Sequence, residues 1–185
     1  MSLIQGMALV NIVKAQIVTE EETPVTFEFE TANDASVDPE VDEGEEQILR
    51  VKNKIIATNK TEDIAYGYEL VLTDNTLIPE VLAIVDGGSL RFDEVETEQV
   101  LGYDGPVSGL TVSRTLFTLN LFTEEKDADG DTLQYAKLSF MHCKGKPVSW
   151  ALKDGEFFVP EFTITARPKT GEKAITVDFM DTLPV

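Results

Sequence analysis

Arg114-Thr-Leu-Phe-Thr-Leu-Asn-Leu-Phe-Thr-Glu124, Glu125-Lys-Asp-Ala-Asp-Gly-Asp131 and Thr132-Leu-Gln-Tyr-Ala-Lys-Leu-Ser-Phe-Met-His142 follow one another without a break. The outer two segments are rich in β-branched, aromatic and aliphatic residues, and the middle one is Asp/Gly-rich. This is the pattern of a β-hairpin with a longer loop. Setting Thr123 opposite Thr132 puts Phe117, Leu119 and Leu121 on one face, against Leu138, Ala136 and Gln134, with Phe140 beyond. Thr118, Asn120, Lys137 and Ser139 fall on the other face. The two-residue period thus predicts one dry and one wet face. Each arm has roughly ten residues, about 33 Å at ~3.3 Å per residue, against a usual strand of ~5–6 residues. A ribbon of that length lies across the whole fold or reaches past it to a neighbour.

Working outward, Val25-Thr-Phe-Glu-Phe-Glu30 alternates strictly, with Val25, Phe27 and Phe29 on one face, and reads as a half-buried strand. Residues 8–19 read as a strand before it. Gln47–Asn59 is strand-like and comparatively basic. Tyr66–Thr73 is a strand with Tyr66, Tyr68, Leu70 and Leu72 sharing a face, and Ser89–Glu94 is another. Glu96–Gly109 reads as loop, with Tyr103–Pro106 as a turn. Strands are expected at Val148–Leu152, at Phe157–Ala166, where Pro160 argues for an edge or bulge, and at Ala174–Phe179 after a last hairpin loop at Arg167–Lys173.

One helix is expected, near residues 75–86 within Asp74–Gly88. Asp74 or Thr76 can cap it, Pro79 fits its first turn, and Gly87-Gly88 supplies a left-handed stop. Leu77, Val81, Leu82 and Val85 form its apolar stripe. The predicted class is mainly β, a β-sandwich or split barrel with one short helix and extended loops or hairpins.

The chain has 185 residues, enough for one domain over 1–185, and 42 % are hydrophobic, enough for a core. Nothing approaches the ~20-residue apolar run of a membrane span. Met1–Met7 lacks the basic start and the cleavage site of a signal peptide, and whether residues 1–6 are a leader ahead of Met7 is left open. The single cysteine, Cys143, excludes an intrachain disulfide and fits a reducing compartment.

Net charge is −19. Such a surface repels nucleic-acid phosphates and anionic lipid, which argues against specific DNA binding and membrane-surface roles. The acidity is concentrated: Ala15–Leu49 holds twelve carboxylates and no Lys or Arg, leaving −7 for the rest. Within it, residues of about 32–47 have little to bury and are expected to be a mobile acidic loop.

The metal candidate is Asp127, Asp129 and Asp131. An EF-hand loop needs Asp-x-Asp-x-Asp-Gly, a Glu at position twelve and flanking helices. Here the glycine follows the second Asp directly and the flanks are strands, so a solvated hairpin loop is the stronger reading. His142 beside Cys143 suggests a nucleophilic pair only superficially, because neighbours on a strand point to opposite faces. One histidine gives no material for a Ser-His-Asp set or a His-rich metal site. A glycosidase needs only two acids, but thirty-four of them single out none. Trp150 and the scattered tyrosines make no sugar platform. Gly87-Gly88 follows its helix instead of preceding one, unlike a phosphate loop. No catalytic set and no cofactor site is expected.

Gln47–Asn59, the Asp74–Gly88 helix ending Val-Asp-Gly-Gly, Gly102-Tyr-Asp-Gly-Pro106, Thr123–Asp131 and His142-Cys-Lys-Gly-Lys-Pro147 occur here in an order that resembles the major tail (tail tube) proteins of long-tailed bacteriophages and prophages, particularly of Gram-positive bacteria. The resemblance covers roughly residues 47–181. It implies a β-sandwich or split barrel with one helix, forming homo-oligomeric, hexameric rings that stack into a tube. Strands of neighbouring subunits would close an inner barrel through which DNA passes, and extended loops would bridge subunits and rings. It further implies other tail components as partners, manufacture in the bacterial cytoplasm, a final place in the virion tail, and no catalytic residues. The alternative from another class is a β-sandwich binding module: an adhesin, a carbohydrate- or calcium-binding domain, or a baseplate component. An acid-pair hydrolase is a third reading.

Overall fold

The computed structural model describes residues 6–29, 32–93 and 99–184. In chain order its elements are β1 (Leu9–Thr19), β2 (Thr26–Phe29), β3 (Ala32–Asp42), β4 (Glu46–Val51), β5 (Lys54–Lys60), β6 (Ile64–Asp74), α1 (Pro79–Asp86), β7 (Ser89–Phe92), β8 (Val100–Asp104), β9 (Phe117–Lys126), β10 (Thr132–Gly145), β11 (Glu161–Ala166) and β12 (Ile175–Met180). The class is mainly β with a single short helix among the described residues, as the periodicity predicts.

Eight strands form one antiparallel sheet in the order β2-β1-β9-β10-β11-β6-β3, with β12 also paired to β10. The sheet curls, so that the far strand β3 returns to within 8 Å of β1 between Cα atoms. The concave side holds the core: Ala15 and Ile17 of β1, Leu70 and Leu72 of β6, Phe117 and Leu119 of β9, Phe140 and Cys143 of β10, Phe162 and Ile164 of β11. Each large apolar side chain removed from water there stabilises the fold by about 1.5–3 kcal/mol. Helix α1 closes this side with Val81, Leu82 and Val85.

The organising hairpin is β9–β10, and its dry face is the expected one. Phe117, Leu119, Leu121, Ala136 and Phe140 are buried, and Leu138 packs against the core. The register differs. Leu121 faces Leu138, Leu119 faces Phe140, and Thr123 faces Ala136, not Thr132. The partner is displaced by four residues, an even number, so the faces are preserved while the pairs change. The expected wet face is only half wet: Asn120, Ser139 and Phe122 on it are buried, while Thr118 and Lys137 are half-buried. The chain end crosses toward this face, where Lys14 Nζ donates to the Pro184 carbonyl at 3.1 Å and meets Glu28 at 2.6 Å.

Several expectations are corrected. The acidic residues 32–42, expected within a mobile loop, form strand β3 on β6, with Val37 opposite Leu70 and Ala35 opposite Leu72. Ala35 and Val37 pack on the core, and that burial outweighs the alternate carboxylates Asp34, Asp38 and Asp42, which face water. Pro39 is tolerated because β3 has a ladder partner on one side only. Gln47–Asn59 is not one strand but the hairpin β4–β5, turning at Lys52-Asn53 with Lys52 at φ 53°. The expected loop at 96–109 contains β8, paired with β7; residues 94–98 lie outside the described set. Val148–Leu152 forms no strand.

The helix begins on Ile78, which provides no side-chain cap, with Pro79 in the first turn and Gly87 left-handed at φ 85° after it. Asp74 is not the cap; its Oδ1 accepts the Thr76 N–H. Finally, β11 and β12 do not pair with each other. Both lie against the same edge of β10, β12 along Tyr135–Phe140 and β11 along Cys143–Gly145. The sheet therefore forks at Met141-His142.

Candidate functional site

The feature with the clearest functional content is the β4–β5 hairpin. It forms its own two-stranded sheet, and every residue of both strands is exposed. Ile48, Leu49, Val51, Ile55 and Ile56 are each more than half exposed. They lie on both faces, because Ile48 pairs with Thr58, Leu49 with Ala57 and Arg50 with Ile55 across a bulge. A lone two-stranded hairpin is marginal in water, and clustered exposed aliphatic side chains mark an interaction surface. The hairpin carries Arg50, Lys52, Lys54 and Lys60 against Glu46, a net +3, so the remainder of the chain carries −22.

Other unpartnered surfaces belong to the same picture. Among the described residues strand β12 pairs with β10 alone, and its Val177 and Phe179 are exposed. Such an apolar free edge is a template for another strand. Strand β3 also has an open edge, but Asp34, Asp38 and Asp42 stud it with charge. Arg167 ties β3 down: its Nε and Nη2 donate to Glu40 Oε2 and Oε1, each at 3.0 Å, and its guanidinium lies 5.4 Å from the Tyr66 ring centre. The guanidinium holds the Glu40 carboxyl below the usual carboxylate range.

Asp127, Asp129 and Asp131 sit together in the β9–β10 turn, but as a self-contained loop. Asp127 Oδ1 accepts the backbone N–H groups of Asp129 and Asp131 at 2.9 and 2.8 Å. Among the described residues no group of three or more His, Cys, Asp or Glu is arranged to hold a metal ion.

His142 and Cys143 engage different partners and form no dyad. Cys143 is fully buried, with Sγ donating to the Phe140 carbonyl at 3.3 Å, and burial pushes its thiol up to about 12. His142 stands at φ 53° at the fork of the sheet. Its Nδ1 lies 2.5 Å from Glu20 and its Nε2 2.9 Å from Glu172. Sequence reading passed over this link because its members are far apart in the chain.

A second polar cluster anchors the helix end. Buried Asp86 accepts the Tyr103 hydroxyl at 2.5 Å and the Val148 N–H at 3.0 Å, while Arg114 Nε donates to the Asp86 carbonyl at 3.1 Å. Burial and the Asp86 carboxylate push the Tyr103 phenol well above its ordinary value. Beside this cluster an apolar groove opens between α1 and β8, ending at Trp150, which stacks on Phe158 at 5.2 Å. No described helix is long and apolar enough to cross a membrane.

No family model matches the chain, and no curated protein is similar to it. Among solved structures it is similar to a chain of the PVC sheath–tube complex of an extracellular contractile injection system in the extended state. The identity is 12 %, the TM-score is 0.45, and 94 % of this chain and 92 % of that one are covered. It is also similar to a chain of the anti-feeding prophage (AFP) baseplate, at 11 % identity and a TM-score of 0.41, over 94 % of this chain and 97 % of that one. Both are distant likenesses of backbone path.

Proposed function

We propose that this chain is a non-catalytic structural subunit of a phage tail or tail-like particle. In this reading it associates with copies of itself into rings, six to a ring, that stack into a tube and conduct DNA without binding it. The carrying observation is the β4–β5 hairpin, whose thirteen strand residues are all exposed and include five large aliphatic side chains held out from the body. Among the described residues nothing covers them, and a partner surface would remove them from water. The free apolar edge of β12 gives a second place for strand-to-strand closure between subunits. The resemblance of residues 47–181 to tail tube proteins supplies the type of assembly, and the net charge of −19 suits a conduit from which phosphate is repelled.

Electron microscopy of concentrated protein tests the proposal. Rings or stacked tubes on the order of 100 Å across are expected, from subunit domains of ~20–30 Å set in a ring. A chain with residues 47–59 replaced by a short Gly-Ser linker is expected to keep its melting temperature and lose the rings. Globular monomers at every concentration, or rings that survive removal of the hairpin, would overturn this reading.

A further inference from the structure

We infer that the apolar groove between α1 and β8 is the receptor for the β4–β5 hairpin of a second copy of this chain. The inference rests on the self-associating reading above and names the surface that reading lacks. The groove has a volume of about 480 Å³. It is lined by Leu77, Pro79 and Leu82 at the helix, by Leu101 and Tyr103 of β8, and by Trp150. Leu77, Leu101 and Trp150 are exposed, Leu101 and Trp150 by more than half, although they line an inward-curving surface. Its walls are tied to the body by specific contacts. The helix is linked through Asp86 to Tyr103 and Val148, and Trp150 stacks on Phe158.

The hairpin matches this groove in three respects. It offers compact aliphatic side chains, Ile48, Leu49, Ile55 and Ile56, of the size an apolar slot of this volume accepts. Its own chain does not seat it there, since all residues of both strands are exposed. Its charge is opposite: the hairpin is net +3 on a body of −22. Glu80, next to the lining residue Pro79, has no cationic partner among the described ion pairs and stands ready for Lys52 or Lys54. Hairpin and groove are different patches, so the contact is head-to-tail. Such contacts close into rings or continue as stacks, and need no two-fold axis.

Two full-length variants test it, Ile55→Cys and Leu101→Cys, mixed and gently oxidised. Cys143 stays silent because it is buried. A 55–101 disulfide, identified by peptide mass spectrometry, is expected to form in the mixture well above either variant alone. Leu101→Asp, at an exposed position, is expected to raise the concentration for half-association by about tenfold or more with an unchanged melting temperature. Ile55→Asp is expected to do the same from the other side of the contact. Assembly of Leu101→Asp at wild-type concentrations, or cross-links formed equally in the single-variant controls, would overturn the groove as receptor while leaving self-association intact. A wild-type chain that never associates would overturn both.

Discussion

Nδ1 of His142 lies 2.5 Å from Oε2 of Glu20, although 122 positions separate them. The other oxygen of the same carboxylate accepts the backbone N–H of His142 at 2.9 Å and the Thr118 hydroxyl at 2.9 Å. Nε2 of the ring reaches Glu172 at 2.9 Å. His142 stands where β10 exchanges β12 for β11, so this link ties the β1–β2 turn and the β11–β12 loop to the fork of the sheet.

Glu20 therefore makes stability depend on acidity. Burial raises its affinity for a proton, but the backbone N–H of His142, the Thr118 hydroxyl and the His142 ring together hold it below the ordinary value of 4.5. The stabilisation is present above 4.5 and is lost as pH falls through the lower folded value, because the unfolded chain takes up the proton first. Glu20→Gln is expected to cost about 1–3 kcal/mol at neutral pH and to flatten the acid limb of a denaturation profile. An unchanged acid limb would count against this role.

Tyr103 makes the opposite prediction at alkaline pH. Its phenol is held above the ordinary value of 10.0 by burial and by the Asp86 carboxylate it donates to. Above about pH 10 the unfolded chain releases this proton while the folded chain keeps it, so stability falls as pH rises. Tyr103→Phe is expected to lower stability by about 0.5–1.5 kcal/mol at pH 7 and to lessen the alkaline fall in melting temperature.

Gly145 lies where the helix backbone comes close to β10. A Cβ there would stand 2.1 Å from the Val85 carbonyl oxygen and 2.5 Å from its Cα. Both are backbone atoms with no rotamer to yield. Gly145→Ala is expected to cost about 1–3 kcal/mol, read as a lower melting temperature. Gly130→Ala, with open space but φ 89°, is a contrasting case in which any loss comes from backbone strain alone.

Cys143 reports on global unfolding. The thiol is buried and pushed up to about 12 by desolvation, with the Glu20 charge adding to the shift. Modification by a thiol reagent at pH 8 is expected to proceed at the rate of opening of the β10 core, and Glu20→Gln is expected to speed it. Instant stoichiometric labelling of the native chain would show that the β9–β10 core opens freely.

The two-residue period explains which parts of this fold are visible in sequence. Phe117, Leu119, Leu121, Ala136 and Phe140 fall on one face whichever register is chosen, so the buried face was readable although the Thr123–Thr132 pairing was not. Ala35, Val37 and Val41 also alternate, a signal for β3 that the surrounding carboxylates obscured. Lys52-Asn53 between two aliphatic runs was a turn signal inside what read as one strand. The candidate surface was legible only as a basic, strand-like segment, since its exposure depends on what the rest of the chain leaves uncovered.

By itself the sequence determined the mainly-β class, the buried face of β9–β10, and the helix opened by Pro79 and stopped at Gly87, because each rests on local periodicity or local backbone preference. The tertiary structure alone decided that β10 divides its edge between β11 and β12, that the acidic segment joins β6, and that β4–β5 stands clear of the body. Those outcomes depend on which distant strands compete for the same hydrogen-bonding edge. That competition is settled by packing around Phe140, Cys143 and His142, and no local pattern records it.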